Sequence, residues 1–184
     1  MNSPIANLFL ALQARIAGLH DNDGNNYFRY VDQDTGQLEM LKNGRYPVSW
    51  PCVLIDVDKI DFTDDGTRIQ SGTGTVSLRM GFPPYSASSN ITPSEYRTKA
   101  LYYYDLEQVL YLALQHWNPS QQEGFEALAD IFGSFRRASS VTEPREDFVR
   151  VRQISYTIAL DDYSAKKQQL FAPAALDLNI GINA

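Results

Sequence analysis

Leu106, Val109, Leu110, Ala113, Leu114 and Trp117 recur at steps of three and four residues. At 3.6 residues per turn they form one stripe, so a helix is expected over about 95–117 with one face that must be covered. Asn118-Pro119 is expected to stop it, because the residue before a proline is turned away from helical backbone. A one-sided helix of this length cannot be buried alone; it needs a facing apolar layer.

Two stretches offer that layer. Between 67 and 82, Val76, Leu78 and Met80 alternate with Thr75, Ser77 and Arg79, which predicts a strand with one buried and one wet face. Gly72 and Gly74 near its start suggest a bend or bulge. Between 148 and 160, Val149 and Val151 are followed by Ile154, Tyr156, Ile158 and Leu160. The one-residue change of phase predicts a bulge at Arg152-Gln153.

The remaining elements fill in around these. The run Trp50–Val57, preceded by Pro47 and Pro51, reads as a buried strand. Tyr27–Asp32 and Gln37–Leu41 flank a turn and read as a hairpin. Ser134–Val141 reads as a further strand, and Phe125, Leu128, Ala129 and Phe132 as a short helix. Ser3-Pro4 is a helix start, with serine as the cap and proline in the first turn. Ile5, Leu8, Phe9, Leu12 and Ile16 then extend a helix to about residue 17, closed by Gly18. The expected class is α+β: a mixed or antiparallel β-sheet packed against a long core helix and an N-terminal helix. Residues 1–162 form one domain. Residues 163–184 form a C-terminal extension or an added strand, since Leu176, Leu178, Ile180 and Ile182 alternate with polar residues and glycine. Such a strand pairs with this chain's own sheet or with a neighbour's.

Composition narrows the function. The 184 residues are 43% hydrophobic and 21% charged, which excludes a disordered chain, a collagen and a coiled coil. The net charge is −6, with no Lys/Arg block, which argues against sequence-independent nucleic-acid binding. Local basic patches remain at Arg136-Arg137 and around Arg145, Arg150 and Arg152. No basic leader segment precedes an apolar run, so no secretory signal is expected. No run of 18 apolar residues occurs, so no transmembrane helix is expected either. A cytoplasmic location follows as the expectation.

Chemistry-bearing residues are few. Cys52 is the single cysteine and sits in an apolar run, so it reads as a core residue. The loops starting at Asp21 and Asp61 miss the glycine or the glutamate of a calcium loop. Gly72-Thr-Gly74 lacks the third glycine of a dinucleotide fingerprint. Asp56 and Asp58 would share a strand face and read as a solvated strand end. His116 reads as a helix-end residue favoured by the dipole. No nucleophile elbow, Walker sequence or zinc-protease motif occurs. The expectation is therefore a protein that is not an enzyme and uses no cofactor or metal.

The order of elements carries a resemblance. It runs through Tyr46-Pro-Val-Ser-Trp-Pro-Cys-Val-Leu-Ile55, a strand ending in Met80-Gly-Phe82, a helix ending at His116-Trp117, Gly124-Phe125, and Val151-Arg-Gln-Ile-Ser-Tyr-Thr-Ile-Ala-Leu-Asp-Asp162. Over about residues 4–162 this resembles the phage tail terminator (tail completion) family, found also in prophages and tail-like particles. The resemblance implies a structural subunit, self-associating as a hexameric ring, that caps the tail tube and provides the head-joining surface. It implies tail-tube and head-completion proteins as partners, no membrane, assembly in the host cytoplasm, and a place in the virion. DNA would pass only through the lumen; six copies would bring the charge to about −36, which repels phosphate. By position, the interface candidates are Tyr85, Tyr96, Tyr102, Tyr103, Arg136, Arg137, Leu178 and Ile180. The run Tyr102–Tyr104 reads first as a rim around the core stripe and second as a subunit contact. Rival readings are another head–tail connector or minor tail protein, a small-molecule binding domain, or an enzyme in which Cys52, Asp56, Asp58 and His116 converge.

Overall fold

Alternation decides which side chains of each strand turn inward, and the register carries that decision across the whole sheet. The computed structural model of the protein describes residues 3–40, 44–64, 69–83, 87–147 and 149–163. In chain order these form α1 (Pro4–Ala17), β1 (Tyr30–Gln33), β2 (Cys52–Asp64), β3 (Gln70–Phe82), α2 (Ser94–Leu114), β4 (Arg136–Thr142) and β5 (Arg150–Asp162). Short 3-10 turns at Pro119–Gln121 and Glu126–Leu128 link α2 to β4. The sheet order is β1-β2-β3-β5-β4. β1 is parallel to β2, and every other pairing is antiparallel. The class is α+β with a mixed sheet.

One face of the sheet carries the main core. Val53 and Ile55 of β2, Val76, Leu78 and Met80 of β3, and Ile154, Tyr156 and Ile158 of β5 join Leu8, Leu12 and Ile16 of α1 in one buried cluster. Tyr103, Leu106, Leu110, Ala113 and Leu114 of α2 belong to the same cluster, with Val109 only half-buried. α2 ends at Leu114, short of the expected 117. His116 there takes the left-handed conformation (φ 62°), its N–H bonded to the Phe135 carbonyl, and Trp117 enters the core from the segment beyond.

The opposite face is not simply wet. Leu38, Cys52, Leu54 and Val151 form a second buried cluster there, packed by Tyr30, Val48, Trp50 and Val149. A Cβ at Gly81 would lie 3.0 Å from the Trp50 ring and 3.1 Å from the Cys52 sulfur, so this layer closes on a glycine.

The strand register corrects two expectations. β3 and β5 pair without interruption from Phe82↔Arg150 to Gln70↔Asp162, so there is no bulge at Arg152-Gln153. Val151 is out of phase with Ile154 because it serves the other face. Gly72 and Gly74 also lie in unbroken register. A Cβ at Gly72 would sit 2.9 Å from the Asp61 carbonyl oxygen, so glycine serves close strand approach there. The bulges fall on the flanking strands, between Val57 and Lys59 of β2 and between Arg137 and Ser139 of β4.

A third expectation is also corrected. Among the described residues, Gln37–Met40 gives no return strand, and β1 pairs with β2 instead; Leu41 lies outside the described residues. The Gln37 side chain donates to the Gln33 carbonyl and accepts from the Thr35 N–H, Asp34 accepts from the Gly36 N–H, and Gly36 sits at φ 83°. Side-chain bonds of this kind close a turn and compete with a ladder. Ser3, similarly, makes no side-chain cap on α1. The proposed extension beyond Tyr163 lies outside the described residues.

Candidate interaction surfaces

Cys52, Asp56, Asp58 and His116 do not converge on one site. Cys52 is fully buried in the second cluster, and burial pushes its thiol up to about 12. Asp56 lies four residues further along the same strand, about 13 Å away at strand rise. His116 is exposed at the end of α2, on the segment bonded to Phe135. Asp58 accepts a hydrogen bond from the Ser77 hydroxyl, and Asp56 is exposed beside it. Burial, then the neighbouring carboxylates of Asp58 and Asp34, raise the Asp56 carboxyl above its ordinary value. Among the described residues, no three His, Cys, Asp or Glu side chains form a group that could hold a metal ion.

Of the expected contact residues, Tyr96 and Tyr102 are exposed on α2, and Arg136 and Arg137 are exposed on β4. Tyr103 is not available: it is 3% exposed, stacked on Phe82 with ring centroids 5.1 Å apart. It lies three residues before Leu106 and seven before Leu110, on the core face, while Tyr104 turns outward at 51% exposure. Tyr85, Leu178 and Ile180 lie outside the described residues.

Arginines interleave with aromatic rings along the seam where α2 crosses β4 and β5. Arg150 lies over Tyr103 at 4.9 Å, Arg152 over Tyr104 at 5.9 Å and Arg137 over Tyr111 at 4.1 Å. Glu107 is the acidic partner inside the seam, bonded to Arg152 and to the Ser140 hydroxyl. Arg136, Arg137 and Arg150 have no ion pair among the described residues. The sequence marks the arginines and the Tyr102–Tyr104 run, but not which ring turns outward, and it does not mark Glu107. The helical phase of Leu106 and Leu110 was the available signal for both.

A separate ionic layer lies on the other face. Arg79 of β3 donates to Asp34 at 3.0 Å, Glu39 at 2.5 Å and Glu143 at 2.6 Å. Arg145 is bonded to Asp147 and to the Leu38 carbonyl, and Asp147 also accepts from the Tyr46 hydroxyl. These charges fasten the loops at 34–40 and 143–147 beside the second cluster. They are satisfied internally and form part of the fold.

The two sides of the sheet differ in charge. β1 covers β2 only from Cys52 to Ile55, so the stretch from Asp56 to Asp64 is an outermost strand among the described residues. It carries Asp56, Asp58, Asp61 and Asp64 against Lys59. β4, on the other side, carries Arg136 and Arg137 and no acid. Compared with protein-family models and with curated proteins, the chain matches none.

Proposed function

We propose that the protein is a ring-forming structural subunit of a phage tail or tail-like particle, a tail terminator that caps the tube and offers a joining surface to the head. The observation that supports this best is the pair of strand edges, β4 and the far half of β2, uncovered among the described residues. Edges left open on both sides of one sheet suit head-to-tail contacts, which close into rings when the rotation allows. The element order of the resemblance is retained through α1, β2, β3, α2 and β5. Exposed Tyr96, Tyr102 and Tyr104 give α2 the aromatic character of contact surfaces. In this role the partners are copies of the chain, tail-tube and head-completion proteins, with DNA passing through the lumen. Assembly takes place in the host cytoplasm.

The test is mass by light scattering across concentration, followed by addition of purified tail tube. A hexamer, or binding at tube ends that limits tube length, is the expected result. A chain that stays monomeric and neither binds tube ends nor limits their length would overturn the reading.

A further inference from the structure

The sheet register puts the arginine pair of one edge level with the stretch of the other edge that holds Asp56 and Asp58. Arg137, Tyr156, Val76 and Val57 lie in one row across the strands, and Arg136, Thr157, Thr75 and Lys59 in the next. The row on the other side of Arg137 runs Ser139, Ser155, Ser77 and Asp56. The arginine pair on β4 is therefore level with the Asp56–Lys59 stretch of β2. Both edges are bulged at this height, at Asp58 and at Ala138.

We infer that Arg136 and Arg137 of one copy dock against Asp56 and Asp58 of the next, so that the chain associates head to tail through its basic β4 edge and its acidic β2 edge. The occupant of each edge is a second copy of this chain, and the argument for it is the charge complementarity of the two edges: Arg136 and Arg137 with no acid on β4, against Asp56, Asp58, Asp61 and Asp64 with Lys59 on β2. The inference rests on the ring reading above and names the contact that would build the ring.

Three further observations favour it. Burial and then the carboxylates of Asp58 and Asp34 disfavour the charge of Asp56, which is exposed on the strand edge, and an incoming guanidinium offsets this. Arg136 and Arg137 are exposed and form no ion pair among the described residues, although Arg137 lies over the Tyr111 ring and within the electrostatic reach of Glu107. The bulges interrupt both ladders at the level of the charges, which disfavours continuous strand pairing there and leaves side chains to make the contact. Opposite charge on the two edges also sets direction, because two β4 edges or two β2 edges repel.

The experiment uses the full chain in sedimentation velocity at low and high salt. Two variants are made: Arg136→Glu with Arg137→Glu, which leaves both edges acidic, and Asp56→Lys with Asp58→Lys, which leaves both basic. The wild type should associate at low salt and weaken at least about tenfold as salt screens the contact. Each variant alone should lose association by at least about tenfold, and an equimolar mixture of the two should regain it. Far-ultraviolet dichroism checks that each variant is folded. A wild type that stays monomeric at low salt, or variants that associate as the wild type does, would overturn the inference. So would a mixture that does not regain association.

Added tail tube separates this from the terminator reading. Rings that cap tubes but ignore the charge reversals leave that reading standing and remove this contact. Association through these edges without any effect on tubes does the opposite.

Discussion

Glu107 of α2 accepts a hydrogen bond from Nε of Arg152 of β5 at 2.8 Å, and the two side chains are only 10% and 14% exposed. The pair ties the helix to the far side of the sheet. Arg152 also donates to Thr142 of β4 at 2.7 Å, and Ser140 completes the set, so one ion pair joins three elements. Burial works to raise the Glu107 carboxyl, but the Arg152 guanidinium and the Ser140 hydroxyl outweigh it and hold the group below its ordinary value.

Removing one member of this pair strands the other. Arg152→Ala should destabilise the protein by about 2–3 kcal/mol, because the Glu107 carboxylate stays half-enclosed without its cation. Glu107→Gln should cost less, about 1 kcal/mol, since the amide oxygen still accepts. The double variant Glu107→Leu with Arg152→Met should recover much of the loss. Denaturant unfolding measures all three, and equal losses for Arg152→Ala and the double variant would contradict the pairing.

Acid should loosen the layer built on Arg79 and Arg145 before it unfolds the main core. The Arg145 guanidinium holds Asp147 far below the usual carboxylate range, and Arg79 lowers Glu39 in the same way. A carboxyl that binds its proton more weakly when folded contributes stability that is fully present above its unfolded value, near pH 4. That contribution is lost as the pH falls through the lower folded value. Amide protection, taken relative to the intrinsic exchange rate at each pH, should therefore fall at Leu38 and Glu39 below about pH 4, while protection at Leu78 and Ile154 holds longer. Simultaneous loss at all four positions would show that the layer is not a separate unit.

How much of this was legible depends on how local the cause is. The strands 67–82 and 148–160 and both helices announce themselves by periodicity within one segment, and each lies within a few residues of its expected place. The expected Arg152-Gln153 bulge does not form because the strand alternates between two cores, and Val151 serves the second. That cluster gathers Leu38, Cys52, Leu54 and Val151 from distant parts of the chain, and no local pattern marks it. Arg79 is likewise bonded to carboxylates 45 and 64 residues away. At the candidate surfaces, the neighbouring arginines 136 and 137 were visible as a pair. Their height opposite Asp56 and Asp58 is a property of the register, and register is fixed by pairing between strands far apart in sequence.

Cys52 should behave as an apolar core residue. Its thiol is buried and pushed up to about 12, so almost no thiolate exists near neutral pH. A disulfide reagent at pH 8 should label the native protein only as fast as the second cluster opens, and label the unfolded chain at once. Immediate labelling of the folded protein would mean that the layer over Cys52, formed by Trp50 and Leu38, does not exclude solvent.

Tyr156 offers a test of the main core. It is fully buried at the centre of the sheet, its ring meets Phe135 edge-on with centroids 5.9 Å apart, and burial pushes its phenol up to about 12. The hydroxyl has no hydrogen-bond partner among the described residues. A buried donor without an acceptor costs about 1–3 kcal/mol relative to its hydrated state, so the ring stabilises the core while its oxygen works against it. Tyr156→Phe keeps the ring and removes the oxygen. It should leave stability unchanged or raise it by up to about 2 kcal/mol, read as a higher denaturant midpoint at constant slope. Tyr156→Leu discards the edge-on contact with Phe135 as well and should lower stability by about 1–3 kcal/mol. A loss of about 1 kcal/mol or more in Tyr156→Phe would mean that the hydroxyl is bonded in solution, to a buried water or to a residue beyond those described, and would count against this placement of the ring.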